Sequence, residues 1–237
     1  ASLGGRRGIW EAALRQCNAV QVESIEEMAD AALAFSCLPL REYRGCAIIG
    51  GGGAIGVAAA DAAELFGLTV PHLRKDLREA IEAFLPKPGS SAANPVDIAN
   101  PFVSPQNIKE IMLRASDDKN IDIHIVTSLL YHYKSLKKSL NAGNLRDIVP
   151  IEDLARACSE AMKETGKPVV VVLPNHKQEM EAFDIEEVVR EARRLFSKAG
   201  IAVYDDVKNA LRAAASVSLY YRRRSERDLP RRGAGLS

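Results

Sequence analysis

The chain has 237 residues, enough to bury a sizeable core as one large domain or two small lobes. Its 32 Lys and Arg are offset by 31 Asp and Glu and only 5% of residues are aromatic, so neither the charge nor the stacking surface of a nucleic-acid binder is present. Apolar runs such as "PVVVVLP" fall far short of the roughly 20 residues of a membrane-spanning helix, and no basic stretch followed by an apolar core opens the chain, so neither a membrane partner nor a secretory signal is expected.

Trp10, Ala13, Leu14 and Cys17 recur at helical spacing, and "AVQV" (19–22) then reads as a short strand. Ser24 with Glu27 forms a capping-box pattern for a helix running to about Phe35. The run from Cys46 to Ile49 reads as a strand that opens into Gly50–Gly53 and an alanine-rich helix. "LTV" (68–70) follows as a short strand, and "DLREAIEAFLP" as a helix stopped by Pro86.

Residues 87–105, "KPGSSAANPVDIANPFVSP", read as one long connection rather than an element. "IDIHIVTSLL" (121–130) is the next strand, and "PVVVVLP" from Pro168 has the continuous apolar character of a strand buried on both faces. "DIEEVVREARRLFSKAG" is an amphipathic helix ending at Gly200; "IAVY" and a last helix from about Asp205 close the pattern. The alternation predicts an α/β architecture with a doubly wound, largely parallel sheet, helices on both faces and a division into two lobes near residues 100–120. The basic residues 225–237 are expected to form a disordered tail.

Gly51, Gly53 and Gly56 satisfy G-x-G-x-x-G between a strand and a helix, the dinucleotide fingerprint. A flavin or nicotinamide site also needs an acidic residue about 20 positions on, and there the second strand ends in Pro71 and His72, which argues against that reading. Unpaired N–H groups at a helix start, helped by the helix dipole, favour an anionic phosphate whatever carries it. Gly51, Gly52, Gly53, Ala54, Ile55 and Gly56 are therefore the candidate phosphate-binding residues; the alternative is that the glycines only permit a tight strand-to-helix turn.

His72, His124, His132 and His176 show no helical metal-ligand spacing and no companion carboxylate cluster, so no metal site is expected. His124 alternates within a strand and reads as a packed residue. His132, just past a strand end where α/β ligands bind, joins Asn94 and Asp97 as a possible loop site, and His176 is a loop-tip residue. Pro95 biases Asn94 toward extended backbone, leaving Asp97 to orient a substrate-side group or to form an Asx-turn. Lys134, Lys137 and Lys138 read as a solvated helix face, with an anionic ligand as the alternative. Cys17, Cys37, Cys46 and Cys158 lack CxxC spacing and read as reduced thiols of a cytoplasmic protein.

Four segments in order, residues 1–35, "AIIGGGGAIGVAAADA" (47–62), "NPVDI" (94–98) and "AGIAVYDDVKNALRAAASVSLYYRR" (199–223), resemble the nucleoside-diphosphate-forming acyl-CoA synthetases, relatives of succinyl-CoA synthetase. The resemblance covers about residues 1–224 and implies a flavodoxin-like domain over 45–224, preceded by a helix–strand–helix segment over 1–44. Such enzymes interconvert an acyl-CoA, a nucleoside diphosphate and phosphate with an acid, CoA and a nucleoside triphosphate. The phosphoryl group passes through a histidine held between two helix N-termini from different subdomains.

Gly51–Gly56 match one of those helix starts, with Ala54 and Ile55 where Gly-Pro is often found. The resemblance places the phosphorylated histidine just before Ala1, so no catalytic residue is expected in the chain, which is expected to be silent by itself. It implies no tightly bound cofactor. CoA, ATP/ADP or GTP/GDP, phosphate and Mg serve the full enzyme, and the partners are adjoining CoA-binding and ATP-grasp subdomains or a subunit, within an oligomer. The competing reading is a non-catalytic binding or assembly module that keeps the fold.

Overall fold

The computed structural model describes residues 6–177 and 179–228. Five strands form one sheet in the order β2-β1-β3-β4-β5: β1 (Cys46–Gly50), β2 (Val96–Asp97), β3 (Ile123–Thr127), β4 (Val169–Val172) and β5 (Ala202–Tyr204). Every pairing between these five strands is parallel. Helices α4 (Lys75–Glu82), α5 (Pro105–Ser116), α7 (Ile151–Thr165) and α8 (Phe183–Lys198) cover one face. Helices α2 (Ile25–Cys37), α3 (Gly53–Leu65) and α9 (Val207–Asp228) cover the other. This is the flavodoxin-like doubly wound order, and its switch point lies between β1 and β3.

The sequence explains the layering. Strands buried on both faces need apolar side chains at every position: Val169 and Val171 enter the first core while Val170 and Val172 enter the second, and Ala47 and Ile49 alternate in the same way with Cys46 and Ile48. Each fully buried Val or Ile is worth roughly 1.5–3 kcal/mol. Ser24 caps α2 as its spacing predicts, its Oγ accepting the Glu27 N–H at 3.1 Å while Glu27 Oε2 accepts the Glu23 N–H at 2.8 Å. Ser104 Oγ caps α5 by accepting the Asn107 N–H at 3.2 Å, with Pro105 in the first turn where its missing N–H costs nothing.

Five expectations need correction. Residues 19–22 form no strand: they follow α1 (Arg7–Gln16), a helix with no buried residue, and among the described residues no strand pairs with them. "LTV" makes only a single bridge, Thr69 to Gly45. The long 87–105 connection contains β2, an edge strand too short to announce itself among Pro, Ser and Asn. No division falls at residues 100–120, because α5 lies across that span and packs on α7 and β1 within one continuous sheet. Finally, Ser225–Asp228, assigned to the tail, belong to α9; residues 229–237 lie outside the described residues.

Candidate functional site

The β1–α3 turn stands at the carboxyl edge of the sheet. Gly50 pairs with Asp97 on one side and Thr127 on the other, so three neighbouring strands end in one cross-strand row, Asp97–Gly50–Thr127. A Cβ on Gly50 would come within 2.8 Å of both Thr127 Cβ and Thr127 O, so only a glycine lets Thr127 pack this closely against β1 in the middle of that row. Gly52 turns the chain with φ +94°, a region where an L side chain is strained, and α3 begins at Gly53 with no side-chain cap and no acid in its first turn.

The first-turn N–H groups are not all free, contrary to the expectation for residues 53–56. Gly52 O accepts the N–H of Ile55 at 3.0 Å and of Gly56 at 3.2 Å. Among the described residues, nothing takes up the N–H groups of Gly53 and Ala54, both exposed. The helix start therefore presents two unpaired donors and the positive end of the dipole to solvent.

Asp97 comes directly to this turn. Its Oδ1 accepts the Ala99 N–H at 2.8 Å, an Asx-turn, and the Gly52 N–H at 3.3 Å; its Oδ2 lies 3.3 Å from where a Gly53 Cβ would stand. Asn94 is instead structural. It is 4% exposed, its Oδ1 accepts the Ile48 N–H at 2.9 Å, and its Nδ2 donates to Cys46 O at 2.7 Å and Pro71 O at 3.1 Å. Its polar groups serve the main chain and leave no hand for a ligand. Asn94→Ala strands these three main-chain groups and is expected to cost about 3 kcal/mol, read as a shift of the urea midpoint at unchanged slope.

A crevice of about 310 Å³ opens beneath the start of α3, walled by Ile48, Ile55, Val57, Ala60 and Pro95 and reached by Asp97 and Thr127. Thr127 was not marked by its sequence context. Its Oγ1 is buried without a hydrogen-bond partner. The signal that points to it is positional: it ends the strand that flanks the switch point opposite the glycine turn.

The remaining candidates lie elsewhere. His132 stacks on Tyr131 with ring centres 4.5 Å apart, and His176 meets the same Tyr131 at 5.8 Å, so these groups gather past the ends of β3 and β4. Lys134 and Lys137 face no open anion site. They hydrogen-bond to the Asp184 carboxylate at 2.5 and 3.3 Å. Burial pushes the Asp184 carboxyl upward, but the two lysine hydrogen bonds outweigh it and hold it below its ordinary range. Lys138 is exposed on α6 (Tyr133–Leu140). Cys46 and Cys158 are buried and their thiols are pushed up to about 12, mainly by burial, so neither is a ready nucleophile. No group of His, Cys, Asp and Glu suited to a metal ion occurs among the described residues, and none of the described helices is long and apolar enough to cross a membrane.

Strand order, glycine turn and crevice define an open α/β domain of flavodoxin-like topology with an uncapped helix start at its switch point. The chain belongs to the Ligase-CoA domain family, whose model matches residues 46–204. It is similar to the α subunit of acetate–CoA ligase [ADP-forming] II of Pyrococcus furiosus, with 28% identity over 213 residues, covering 90% of this chain and 41% of that relative. It is also similar to the 4-hydroxybutyrate–CoA ligase [ADP-forming] of Nitrosopumilus maritimus, with 32% identity over 97 residues, covering 41% of this chain and 14% of the relative.

Two solved structures share the fold. A crystal structure of a Pyrococcus horikoshii OT3 protein superposes with TM-score 0.73 at 25% identity, covering 93% of this chain and 45% of that one. The dinucleotide forming acetyl-coenzyme A synthetase 1 of Ca. Korarchaeum cryptofilum, in complex with phosphate and ADP, gives 0.72 at 25%, covering 97% of this chain and 44% of that one. The chain thus spans less than half the length of these relatives.

Proposed function

We propose that the chain is the Ligase-CoA portion of an ADP-forming acyl-CoA synthetase, and that the start of α3 receives the phosphoryl group of a phosphohistidine carried by an adjoining part of the enzyme. One observation carries this reading: the unpaired N–H groups of Gly53 and Ala54 stand exposed above a crevice at the switch point of the sheet. Each donor and the dipole contribute roughly 0.3–2 kcal/mol toward an anion. Preorganised donors act hardest where charge is passed on, so the contribution is electrostatic and needs no general base from this chain. The names of its relatives, ligases that act on acetate or 4-hydroxybutyrate and form ADP, support the reaction class. CoA, ATP/ADP or GTP/GDP, phosphate and Mg belong to the whole enzyme, held by adjoining CoA-binding and ATP-grasp regions. Residues 45–224 supply the ligase domain, and 1–44 form an N-terminal segment.

The test uses the reading frame that encodes the chain at its full length, incubated with γ-labelled ATP or GTP and magnesium. Acid-labile, base-stable label on that protein and none on residues 1–237 is the expected outcome. Gly53→Pro removes one of the two unpaired donors at a helix position that proline tolerates. In the full-length protein it is expected to slow labelling at least about tenfold, equivalent to ~1.4 kcal/mol, with little change in thermal midpoint. A folded full-length protein that takes no label removes the ligase reading. The assembly-module reading then takes its place, drawing on the apolar Val57, which is 63% exposed on α3.

A further inference from the structure

The cross-strand row beneath α3 brings an acceptor and a donor to the lining of one crevice. Asp97 stands on the β2 side, Thr127 on the β3 side, and Gly50 between them contributes no side chain. Thr127, 3% exposed, is one of the residues that line the crevice of about 310 Å³, and its buried Oγ1 has no hydrogen-bond partner. A buried hydroxyl left unpaired costs about 1–3 kcal/mol, which an incoming acceptor recovers. On the other side, both hydrogen bonds to the Asp97 carboxylate reach Oδ1, and Oδ2, turned toward Gly53, is a free acceptor.

An anion at the Gly53 and Ala54 N–H groups must therefore lie beside a carboxylate oxygen. A fully deprotonated oxyanion is repelled there, whereas one that keeps a hydroxyl hydrogen can donate it to Oδ2. We propose that this crevice selects a protonated phosphoryl oxyanion. The N–H groups of Gly53 and Ala54 and the Thr127 hydroxyl donate to its oxygens, and Asp97 Oδ2 accepts its P–OH hydrogen. The inference rests on the reading of the α3 start as a phosphoryl cradle and adds to it a discrimination that no helix dipole supplies. Sulfate matches phosphate closely in size and shape, yet at neutral pH it has no hydrogen to give.

Isothermal titration of the chain with inorganic phosphate and with sulfate, at matched ionic strength and neutral pH, tests the inference. Phosphate is expected to bind at least about tenfold more tightly than sulfate, a difference of ~1.4 kcal/mol. Asp97→Asn keeps an oxygen for the Gly52 and Ala99 N–H groups, so the turn is retained while the side chain gains a donor, and the phosphate preference is expected to vanish. Thr127→Val is expected to weaken phosphate about tenfold or more, and Thr127→Ser to restore it. Thermal unfolding of each variant confirms that the fold persists.

Equal binding of the two anions by the unmodified chain overturns the inference, as does an unchanged preference in Asp97→Asn. Either result leaves the histidine-labelling experiment standing as the separate test of the ligase reading. No detectable binding of phosphate overturns the inference as well, and the labelling experiment again decides the broader reading.

Discussion

Gly45→Ala is expected to destabilise the protein by at least about 3 kcal/mol. An added Cβ would stand 1.7 Å from Asn120 O and 2.9 Å from Asn120 C, and main-chain atoms cannot swing aside as a side chain can. Moving the strand entrance instead breaks the bonds fixed there: the Gly45 N–H to Asp122 Oδ2 at 3.0 Å, the Asp122 N–H to Gly45 O at 2.7 Å, and the bridge to Thr69. For a chain of this size, scanning calorimetry should register a fall of about 6–12 °C in thermal midpoint. Gly143→Ala, with nothing within 4 Å of its new Cβ, serves as the control and should stay within about 0.5 kcal/mol. A Gly45→Ala midpoint equal to that of the control would show that the Asn120 loop yields freely.

The second large effect is acid sensitivity stored in His124. Its imidazole is fully buried on β3; Nε2 and Ser116 Oγ lie 2.7 Å apart, and Nδ1 has no partner. Burial, reinforced by the positive charge of Lys167, pushes its pKa down to about 3. In the unfolded chain the same group titrates near the ordinary value of about 6.5. Between those values the unfolded state holds a proton that the native state refuses, so unfolding gains as pH falls. The stability that neutral His124 confers is therefore complete above about pH 6.5 and is lost progressively on acidification toward pH 3, at a slope approaching 1.4 kcal/mol per pH unit.

Carboxylates such as Asp184 and Glu191, held below their ordinary range, are lost only at lower pH and leave the window near pH 5.5–6.5 to histidine. Urea unfolding should show about 1 kcal/mol lost between pH 6.5 and 5.5, and His124→Leu should flatten that slope whatever it costs at neutral pH. An identical slope in the variant would assign the acid response to other groups.

Elements whose own composition decides them were legible in the sequence. The strand into the glycine turn, the all-valine β4 and the amphipathic α8 carry continuous or 3.6-residue apolar patterns, and each formed. What stayed hidden depends on partners far along the chain. The two residues of β2 become a strand only because Asn94 and Gly50 hold them, and residues 19–22 carry a strand-like pattern with no strand paired to them among the described residues. Lys134 and Lys137 look solvated until α8 brings Asp184 to them.

At the site, the glycines announced a helix start, but which amides remain free follows from where the Gly52 carbonyl points, which no motif states. Thr127 escaped notice because its role follows from its register with Gly50, and register is a property of the sheet.

The Asn94 side chain also bears on how the protein avoids its own kind. On the β2 side of β1, the short partner strand reaches only Ile49 and Gly50, which leaves the earlier part of the strand as a potential template for an intruding chain. That stretch is closed without a strand. Thr69 O accepts the Cys46 N–H at 2.8 Å, and Asn94 takes Cys46 O and the Ile48 N–H with its amide, imitating one peptide unit of a neighbour. The outer side of Asp97 is closed in turn by Ser91, whose main chain exchanges both bonds with it at 2.9 Å. Strand addition at this margin, the first step toward aggregation of an open parallel sheet, is therefore blocked by a single carboxamide and a hairpin-like bridge.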